Sequence, residues 1–222
     1  MSAVDPESVV GPFEGDRISY ELAELVEGDV DPDPIRQLRV WLDDADAAGV
    51  IEPTAMTLST VDADGRVTSR TLLLRQLTER GPVFFTNYRS QKGMALTQNP
   101  RCAAQLWWGP LQRQVRIEGV AQRLSDRDSD AYFATRPRGS QIGAWASPQS
   151  RPIADRDALN ELVQAAEERF ADAELVTRPP HWGGYELIAD RIEFWQGRPS
   201  RLHDRLRFEL GPDGWVRSRL AP

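Results

Sequence analysis

The sequence predicts a mainly β fold with flanking helices, in the form of a barrel or a sandwich. Short segments rich in β-branched and aromatic residues recur between residues 55 and 124, and again between residues 185 and 220. Turn residues such as Asp-Gly and Gly-Pro separate these segments at close intervals, which is typical of antiparallel strands. Stretches with helical periodicity precede or interrupt the strand runs, so we expect helices around one β domain.

The composition indicates an ordinary globular chain with one domain. Its 222 residues can bury a substantial core, and the absence of a run of 18 apolar residues argues against a membrane span. One cysteine excludes an internal disulfide, and two histidines argue against a histidine-rich site, so we expect no bound metal. The N-terminus lacks the basic and apolar regions of a secretion signal, so the cytoplasm is the expected location.

The charge is unevenly distributed along the chain. The net charge is −7, yet the first fifty residues contain 13 acidic and 3 basic residues, which leaves about +3 on the rest. A near-neutral body argues against nucleic-acid binding, and local arginine clusters then indicate sites for small anions. We expect residues 1–32 to form a mobile acidic arm, with a short helical turn near Tyr20–Val26, ahead of a domain at 33–222.

The first half of the domain is predicted to contain a helix followed by hairpins. Asp33 as N-cap and Pro34 at the first helical position predict a helix that ends near Gly49. The period then changes to that of strands, with one short helix between them. The strands are expected at 55–61, 67–75, 81–87, 102–108 and 112–124, and the short helix at 90–98.

The second half is predicted to mix helices with three further strands. Ser125 and Asp155 are N-cap residues that predict two helices, the first of which ends near Thr135. Residues 136–150 lack a clean period and are rich in Gly, Ser and Pro, so they predict a functional loop or a loop–helix–loop. A linker is expected at 178–184, with strands at 185–195, 205–210 and 215–220.

Residues 193–205, EFWQGRPSRLHDR, set Arg201, His203 and Arg205 at alternate positions after an apolar run. In an extended segment these side chains share one face beside Trp195. Guanidinium groups fork onto phosphate or stack on rings, and imidazole exchanges a proton near neutrality, so the pattern suits a flat anionic ligand. On spacing alone, a solvated edge strand with alternating charge is the simpler interpretation.

Two arginines and a strand-to-helix junction are further candidates for anion binding. Arg70 and Arg75 flank the apolar strand SRTLLLR, where two surface arginines beside a buried strand are the simpler interpretation. At the junction TNYRSQKG, a helix start offers free backbone N–H groups together with the cations Arg89 and Lys92. A phosphate site and an ordinary polar turn explain this junction equally well.

Tyr132, Arg136 and Ser140 recur at four-residue spacing near the end of a predicted helix. A phenol, a guanidinium and a hydroxyl together make a phosphate cradle, and the alternative is an arginine that stabilises the helix C-terminus. The sequence has no GxGxxG after the first strand, no Walker loop and no GxSxG. Redox chemistry would therefore need a cofactor held in another way.

Together these stretches resemble the pyridoxine (pyridoxamine) 5′-phosphate oxidase family of FMN enzymes. The resemblance runs from about Asp33 to Pro222 and rests on SRTLLLR, VFFTN, SQKG, QRQVRIEG, YFATRPRGSQIGAWASPQS, WGGY, EFWQG, RLHDR and RLAP. It implies a split β-barrel and a homodimer with FMN at the subunit interface. It also implies oxidation of pyridoxamine and pyridoxine 5′-phosphate to pyridoxal 5′-phosphate by hydride transfer to FMN, with O2 reduced to H2O2.

The resemblance also implies a role for individual residues. Those that it places on FMN are Arg70, Thr71, Leu72, Leu73, Arg75, Phe85, Thr86, Gln91, Lys92, Gln114, Gln149, Ser150, Trp195 and Arg205, with Gln149 and Ser150 from the other subunit. Those that it places on the substrate are Arg75, Tyr132, Arg136, Ser140, Arg201 and His203. Arg201 and His203 are the implied catalytic pair that holds the pyridine ring against the flavin. Arg17 and Tyr20 are similar to an Arg-x-x-Tyr pair on an arm that covers the site.

Two positions depart from the family pattern. Arg75 stands where the family commonly has lysine, so the charge is kept with a different geometry. Gln91 stands where the family commonly has arginine, so one cation near the FMN phosphate is lost unless Arg89 compensates. Two other functions stay open: a related oxidase of the phenazine-pathway type, and a carrier that binds FMN or pyridoxal phosphate without turnover.

Overall fold

One antiparallel sheet of nine strands organises the computed structural model, which describes residues 19–222. The strands are β1 (Ala55–Val61), β2 (Val67–Leu73), β3 (Gln76–Leu77), β4 (Pro82–Asn87), β5 (Arg101–Trp108), β6 (Arg113–Arg123), β7 (Trp182–Gln196), β8 (Asp204–Gly211) and β9 (Gly214–Arg219). The helices are α1 (Pro34–Ala47), α2 (Gln91–Gln98), α3 (Asp126–Ala134), α4 (Arg138–Ala146) and α5 (Arg156–Arg169). No helix within 19–222 is long and apolar enough to cross a membrane, and the cytoplasmic location stays a prediction.

The long strand β7 determines the shape of the sheet. The strand order is β2-β1-β5-β6-β7-β4-β3, with β8 and β9 attached beside β7. One edge of β7 pairs with β6, whereas its other edge pairs first with β4 and then with β8. Because two different strands share that second edge, the barrel splits there. The predicted split β-barrel with flanking helices is confirmed.

Helix α1 packs on the barrel core. The Asp33 carboxylate accepts a hydrogen bond from the Ile35 N–H at 2.8 Å, and Pro34 begins the helix, as the sequence predicts. The apolar face that the helix buries against the strands consists of Leu38, Trp41, Leu42 and Ala45. Burial of this face contributes more to the stability of the helix than the propensities of its residues.

A smaller apolar cluster lies beside the barrel and supports helices α3 to α5. Its buried residues are Phe133, Ile142, Ala146, Ala166, Phe170, Val176 and Trp182. Of the two structures expected for residues 136–150, the loop–helix–loop is confirmed, because α4 forms there and packs on α5. The cluster thereby holds α3 next to β7 and α4 against α5.

The start of β7 and the N-terminal segment differ from the sequence expectation. The linker before β7 is shorter than expected, because the strand already begins at Trp182. A short helical turn lies at Glu27–Asp29 instead of near Tyr20–Val26. In the part of the acidic arm that the structure describes, Leu25 and Val30 are buried in the barrel core. The boundary between arm and domain stays a prediction.

Gly119 in β6 lies at a β-bulge. The pairing of β6 with β7 shifts register between Glu118 and Gly119. A methyl group at Gly119 would overlap the carbonyl oxygen of Ile188 on β7, so the two backbones would have to separate. Gly119→Ala is therefore expected to lower the free energy of unfolding by about 2 kcal/mol, measured by urea denaturation at fixed protein concentration.

Gly143→Ala is the matched control for this substitution. Gly143 lies within α4, and a methyl group there would meet no described atom within 4 Å. Alanine in a helix interior is expected to raise the free energy of unfolding by up to about 1 kcal/mol. A similar loss of stability in both variants would contradict the role of the bulge.

Candidate active site

A cavity of about 250 Å³ opens between β2, β4, α3 and the segment that follows α4. Its lining residues are Thr71, Leu72, Arg75, Phe85, Thr86, Asn87, Lys92, Tyr132, Arg136, Gln149 and Trp182. Three of these lining residues, Arg75, Lys92 and Arg136, are cations, and the lining contains no Asp or Glu. Positive charge gathered in a concave site favours an anion with several acceptor oxygens.

Stacked aromatic rings form one wall of this cavity. The Phe85 ring lies 3.7 Å from the Tyr132 ring and 5.4 Å from the Trp182 ring, measured between centroids. The Arg136 guanidinium lies over the Trp182 ring, 4.6 Å from its centroid. The stack and the cation–π contact restrict the Arg136 side chain to one position beside the cavity.

Arg136 has a buried nitrogen atom without a partner. Within residues 19–222, its Nη1 atom donates to no acceptor. Burial lowers the pKa of Arg136, an effect that Tyr132 opposes and Arg75 strengthens, but a guanidinium stays charged at neutral pH. A buried guanidinium nitrogen without an acceptor indicates that an anionic ligand belongs here.

Lys92, in the first turn of α2, directs its ammonium group toward Gln149. The Nζ atom lies 3.2 Å from Gln149 Oε1, and the Thr86 hydroxyl lies 3.3 Å from the same oxygen. Burial lowers the pKa of Lys92 to about 8, and repulsion by Arg70 adds to the shift. Since the Ser90 side chain already caps α2, the ammonium is the main attraction for an anion at this junction.

A second cluster lies at the other end of β7. Pairing across β5, β6, β7 and β8 sets Trp107, Gln114, Trp195 and Arg205 in one row, which we name the aromatic row. Directly paired residues share a face of the sheet, so the row presents two indoles, an amide and a guanidinium side by side. Trp107 is 47% exposed. An exposed aromatic surface of this kind suits a flat ring system.

The loop 197–203 between β7 and β8 places His203 beside the aromatic row. The centroid of the imidazole lies 4.5 Å from that of Trp195 and 5.9 Å from that of Tyr20. The backbone N–H of Arg198 donates to His203 Nδ1 at 3.1 Å, so a neutral imidazole carries its proton on Nε2. Burial and then the nearby charge of Arg201 lower the pKa of His203, which favours the neutral ring.

The cavity and the aromatic row are far apart within one chain. Trp182, in the cavity, is the first residue of β7, and Trp195, in the row, is the last but one. At the usual rise per residue they are about 40 Å apart along the strand. A small ligand that contacts both clusters therefore requires a second copy of the chain.

The structure places most of the predicted site residues in one of these two clusters. The cavity contains Thr71, Leu72, Arg75, Phe85, Thr86, Lys92, Tyr132, Arg136 and Gln149. The aromatic row and the loop contain Gln114, Trp195, Arg201, His203 and Arg205. Arg17 lies outside the described residues, whereas Tyr20 packs on Trp195 and His203.

Five predicted residues lie outside both clusters: Arg70, Leu73, Gln91, Ser140 and Ser150. The Arg70 guanidinium donates to backbone and hydroxyl oxygens of β1 and β2, and so it stabilises the pairing of these two strands. Gln91, Ser140 and Ser150 are exposed in the single chain. The roles of all five toward FMN or substrate stay predictions.

The structure contradicts one implied placement in the cavity. The resemblance implies that Gln149 comes from the other subunit, whereas its amide lies on Lys92 and Thr86 of the same chain. Arg89 lines a neighbouring cavity that shares Asn87 and Gln149 with this one, and its compensation for Gln91 stays a prediction. Long-range packing of the segment after α4 decides the position of Gln149.

Sequence reasoning missed Trp182 and Trp107. Trp182 falls in the expected linker, yet it completes the aromatic wall of the cavity. The Gly183-Gly184 pair that follows Trp182 is the sequence feature that could have indicated a tightly packed strand here. A methyl group at Gly183 would overlap the Tyr88 side chain. Trp107 has the pattern of an ordinary strand residue, and only its exposure in the fold identifies it.

The fold and the cationic cavity define a split-barrel protein of the FMN-binding class. The chain belongs to the pyridoxamine 5′-phosphate oxidase family, because residues 42–170 match the model described as pyridoxamine 5′-phosphate oxidase. Residues 182–222 match a second model, the pyridoxine 5′-phosphate oxidase C-terminal dimerisation region. FMN is the cofactor of this family.

Individual relatives agree with this assignment. A Cupriavidus necator protein named pyridoxine/pyridoxamine 5′-phosphate oxidase is 54% identical over 207 residues, which cover 93% of this chain and 97% of the relative. The structure of PhzG from Burkholderia lata, in complex with tetrahydrophenazine-1-carboxylic acid, matches with a TM-score of 0.82 and 34% identity, covering 88% of this chain and 95% of PhzG. A pyridoxamine 5′-phosphate oxidase-related, FMN-binding protein from Nostoc punctiforme shares the fold, with a TM-score of 0.67, 17% identity and coverage of 85% and 98%.

Proposed function

We propose that the protein is a homodimeric, FMN-dependent oxidase that converts pyridoxamine and pyridoxine 5′-phosphate to pyridoxal 5′-phosphate. The observation that carries this proposal is the cavity on which Arg75, Lys92 and Arg136 converge without a carboxylate. Two phosphate groups, one from the cofactor and one from the substrate, would balance this charge. The names of full-length relatives support the same substrates.

A second copy of the chain completes the proposed site. The dimerisation region at 182–222 includes Trp195, Arg201, His203 and Arg205. Because these residues are far from the cavity of their own chain, the aromatic row and loop of one protomer would face the cavity of its partner. FMN would therefore bind at the subunit interface.

The donor set of the chain fits FMN. Lys92 and the Thr86 hydroxyl would hold its phosphate, with Gln149 reoriented to donate through its amide nitrogen. Gln114 and Trp195, on the aromatic row, would hold its ring system. When bound, FMN supplies the acceptor for a hydride equivalent and passes the electrons to O2, which yields H2O2.

The remaining groups would bind and orient the substrate. The free Nη1 of Arg136 would bind the substrate phosphate, together with the Tyr132 hydroxyl and Arg75. Arg201 and His203 would hold the pyridine ring. Since its proton is on Nε2, neutral His203 would donate a hydrogen bond to the 3-oxygen of the ring. The main contribution of the protein is therefore orientation.

The overall reaction removes two electrons from the C4′ carbon of the substrate. That carbon loses a hydride equivalent, and the oxygen or nitrogen attached to it loses a proton. Pyridoxine 5′-phosphate becomes the aldehyde directly, whereas pyridoxamine 5′-phosphate becomes an imine that water hydrolyses to the aldehyde and ammonia. The phosphate does not take part, so its contacts serve to fix the reacting carbon in place.

A turnover assay tests the proposal. Pyridoxamine 5′-phosphate added to the FMN-loaded protein in air is expected to yield H2O2 and pyridoxal 5′-phosphate in equal amounts. The likeness to PhzG favours one alternative, an oxidase of a tetrahydrophenazine carboxylic acid, which is therefore assayed in parallel. Turnover of that compound alone would replace the proposal, and tight binding of all ligands without peroxide would indicate a carrier.

The affinity for FMN is expected to decrease above pH 8. Lys92 has a lowered pKa of about 8, so in the free protein it is charged at pH 7 and mostly neutral at pH 9. A phosphate dianion binds the charged form, and the dissociation constant of FMN should rise about tenfold between pH 7 and pH 9. Quenching of FMN fluorescence on titration with apoprotein measures the constant.

Lys92→Arg is the control for this pH dependence. A guanidinium stays charged throughout this range, so the variant should bind FMN with nearly the same constant at pH 7 and pH 9. If the wild type showed no weakening at pH 9, or if the variant weakened equally, another group would be responsible for the phosphate.

A further inference from the structure

Arg198 connects the N-terminal segment to the loop that carries His203. We name residues 19–30 the strap. The Nη1 atom of Arg198 donates to the Ala23 carbonyl oxygen at 3.2 Å, and Nη2 donates to the Glu24 carboxylate at 2.6 Å. The Nε atom lies 3.5 Å from the Asp204 carboxylate, at the other end of the loop. One side chain thus joins the strap to both ends of loop 197–203.

The backbone of the same residue contacts His203. Its N–H donates to Nδ1 and so determines which imidazole nitrogen carries the proton. The strap covers the other side of this region, because the Tyr20 ring packs on Trp195 and His203. The ring also lies so close to Gly197 that a side-chain carbon there would be 2.6 Å from it. Strap, loop and imidazole therefore form one packed unit.

The loop has a backbone conformation that its own residues disfavour. Ser200 and Arg201 have φ angles of 57° and 61°, in the left-handed region that residues with a Cβ seldom adopt. Such conformations persist where surrounding contacts impose them, and they concentrate at functional sites. Arg198 is the second residue of the loop, and its side-chain contacts can impose the left-handed conformation of Ser200 and Arg201.

We propose that Arg198 is a positioning residue, whose side chain fixes the strap on loop 197–203 and so holds His203 with its Nε2–H directed to the substrate. The inference rests on the proposed function for the identity of the substrate. The geometry itself does not depend on that identity, because every contact in it lies within one chain. Arg198 touches no reacting atom in this scheme and acts through His203.

The charges around His203 predict how the loss of Arg198 would be detected. The titratable and charged groups nearest the imidazole are Arg201, Arg198, Asp204 and Tyr20, whereas Arg205 is paired with Glu193. Removal of the Arg198 guanidinium takes away a positive charge, leaves Arg219 as the ion-pair partner of the Asp204 carboxylate and gives water access to the ring. The loss of the charge and the access of water both raise the pKa of His203.

An NMR titration of the histidines tests the proposal. The chain has two histidines, His181 and His203, so holoenzyme labelled with 13C and 15N in histidine gives two imidazole signals, which His181→Gln assigns. In the wild type, His203 is expected as the Nε2–H tautomer. In Arg198→Ala its titration midpoint should rise by about half a pH unit or more, and kcat/KM for pyridoxamine 5′-phosphate should fall about tenfold. Arg198→Lys, which can keep the contact with Glu24, should lie between the two.

Arg217→Ala is the matched control. Arg217 also binds the strap, by donating to the Glu27 carbonyl oxygen at 2.7 Å, but its guanidinium is not among the contacts of the loop. Its loss should leave the His203 midpoint and kcat/KM unchanged. The proposal is overturned if Arg198→Ala leaves the midpoint unchanged, or if both variants shift it equally. Because the titration needs no turnover, a positive result in a protein without oxidase activity would overturn the proposed function alone.

Discussion

Arg136→Ala is expected to raise the KM for pyridoxamine 5′-phosphate roughly 100-fold while changing kcat much less. The reason is the buried Nη1 atom, which has no acceptor among the described residues and lies in a cavity without carboxylates. A substrate phosphate is the acceptor that it lacks. This contact is the same in the ground state and in the transition state, so its loss weakens binding without slowing the chemical step. Initial rates of peroxide release at varied substrate concentration measure both constants.

Arg127→Ala is the control for this substitution. Arg127 lies on α3 near Arg136 in the sequence, but it is exposed and does not line the cavity. Its loss should leave KM unchanged, which excludes a general effect of the charge of the protein on an anionic substrate. A lower kcat with an unchanged KM in Arg136→Ala would show that the phosphate binds elsewhere.

Most of the secondary structure could be predicted from the sequence because its signals are local. The capping side chains of Asp33, Ser125 and Asp155 mark helix starts that the structure confirms. Strand bounds likewise follow from alternation and from turn residues, within a residue or two. The two-residue strand β3 and the start of β7 at Trp182 could not be predicted, because pairing with β4 defines both.

The candidate site could be predicted only in part, because its geometry is long-range. The cations Lys92 and Arg136 were visible as local clusters, and the cavity brings them together. Arg70 belonged to another candidate cluster, yet its guanidinium donates to oxygens of β1 and β2. No local pattern distinguishes an arginine that faces a ligand from one that binds the neighbouring strand. The same limit applies to Gln149, whose partners are more than fifty residues away.

Arg201→Ala is expected to lower kcat for pyridoxamine 5′-phosphate about 100-fold, with a smaller change in KM. The phosphate would remain on Arg136 and Arg75, so the substrate would still bind. Without the guanidinium over its ring, the reacting carbon would lose its fixed position. An unchanged kcat would show that the left-handed conformation of Arg201 serves the loop and has no part in the reaction.

A mixed dimer of Arg136→Ala and Arg201→Ala chains separates a shared site from one built by a single chain. Cavity and loop are about 40 Å apart along β7, so each site should combine the cavity of one protomer with the loop of the other. In the mixed dimer, one site then carries both substitutions and the other carries neither. Two different affinity tags isolate this species, which should regain about half of the wild-type activity per dimer.

The size of this effect makes the experiment decisive. Each parent homodimer should have a kcat/KM near 1% of the wild type, so about half-activity in the mixed dimer would be a gain of roughly fifty-fold without any new contact. If each site belonged to one chain, both sites of the mixed dimer would carry one substitution and activity would stay at the parental level. That outcome would still agree with the roles of Arg136 and Arg201, but it would show that each site is formed by one chain alone. Only a shared site turns two nearly inactive proteins into an active one.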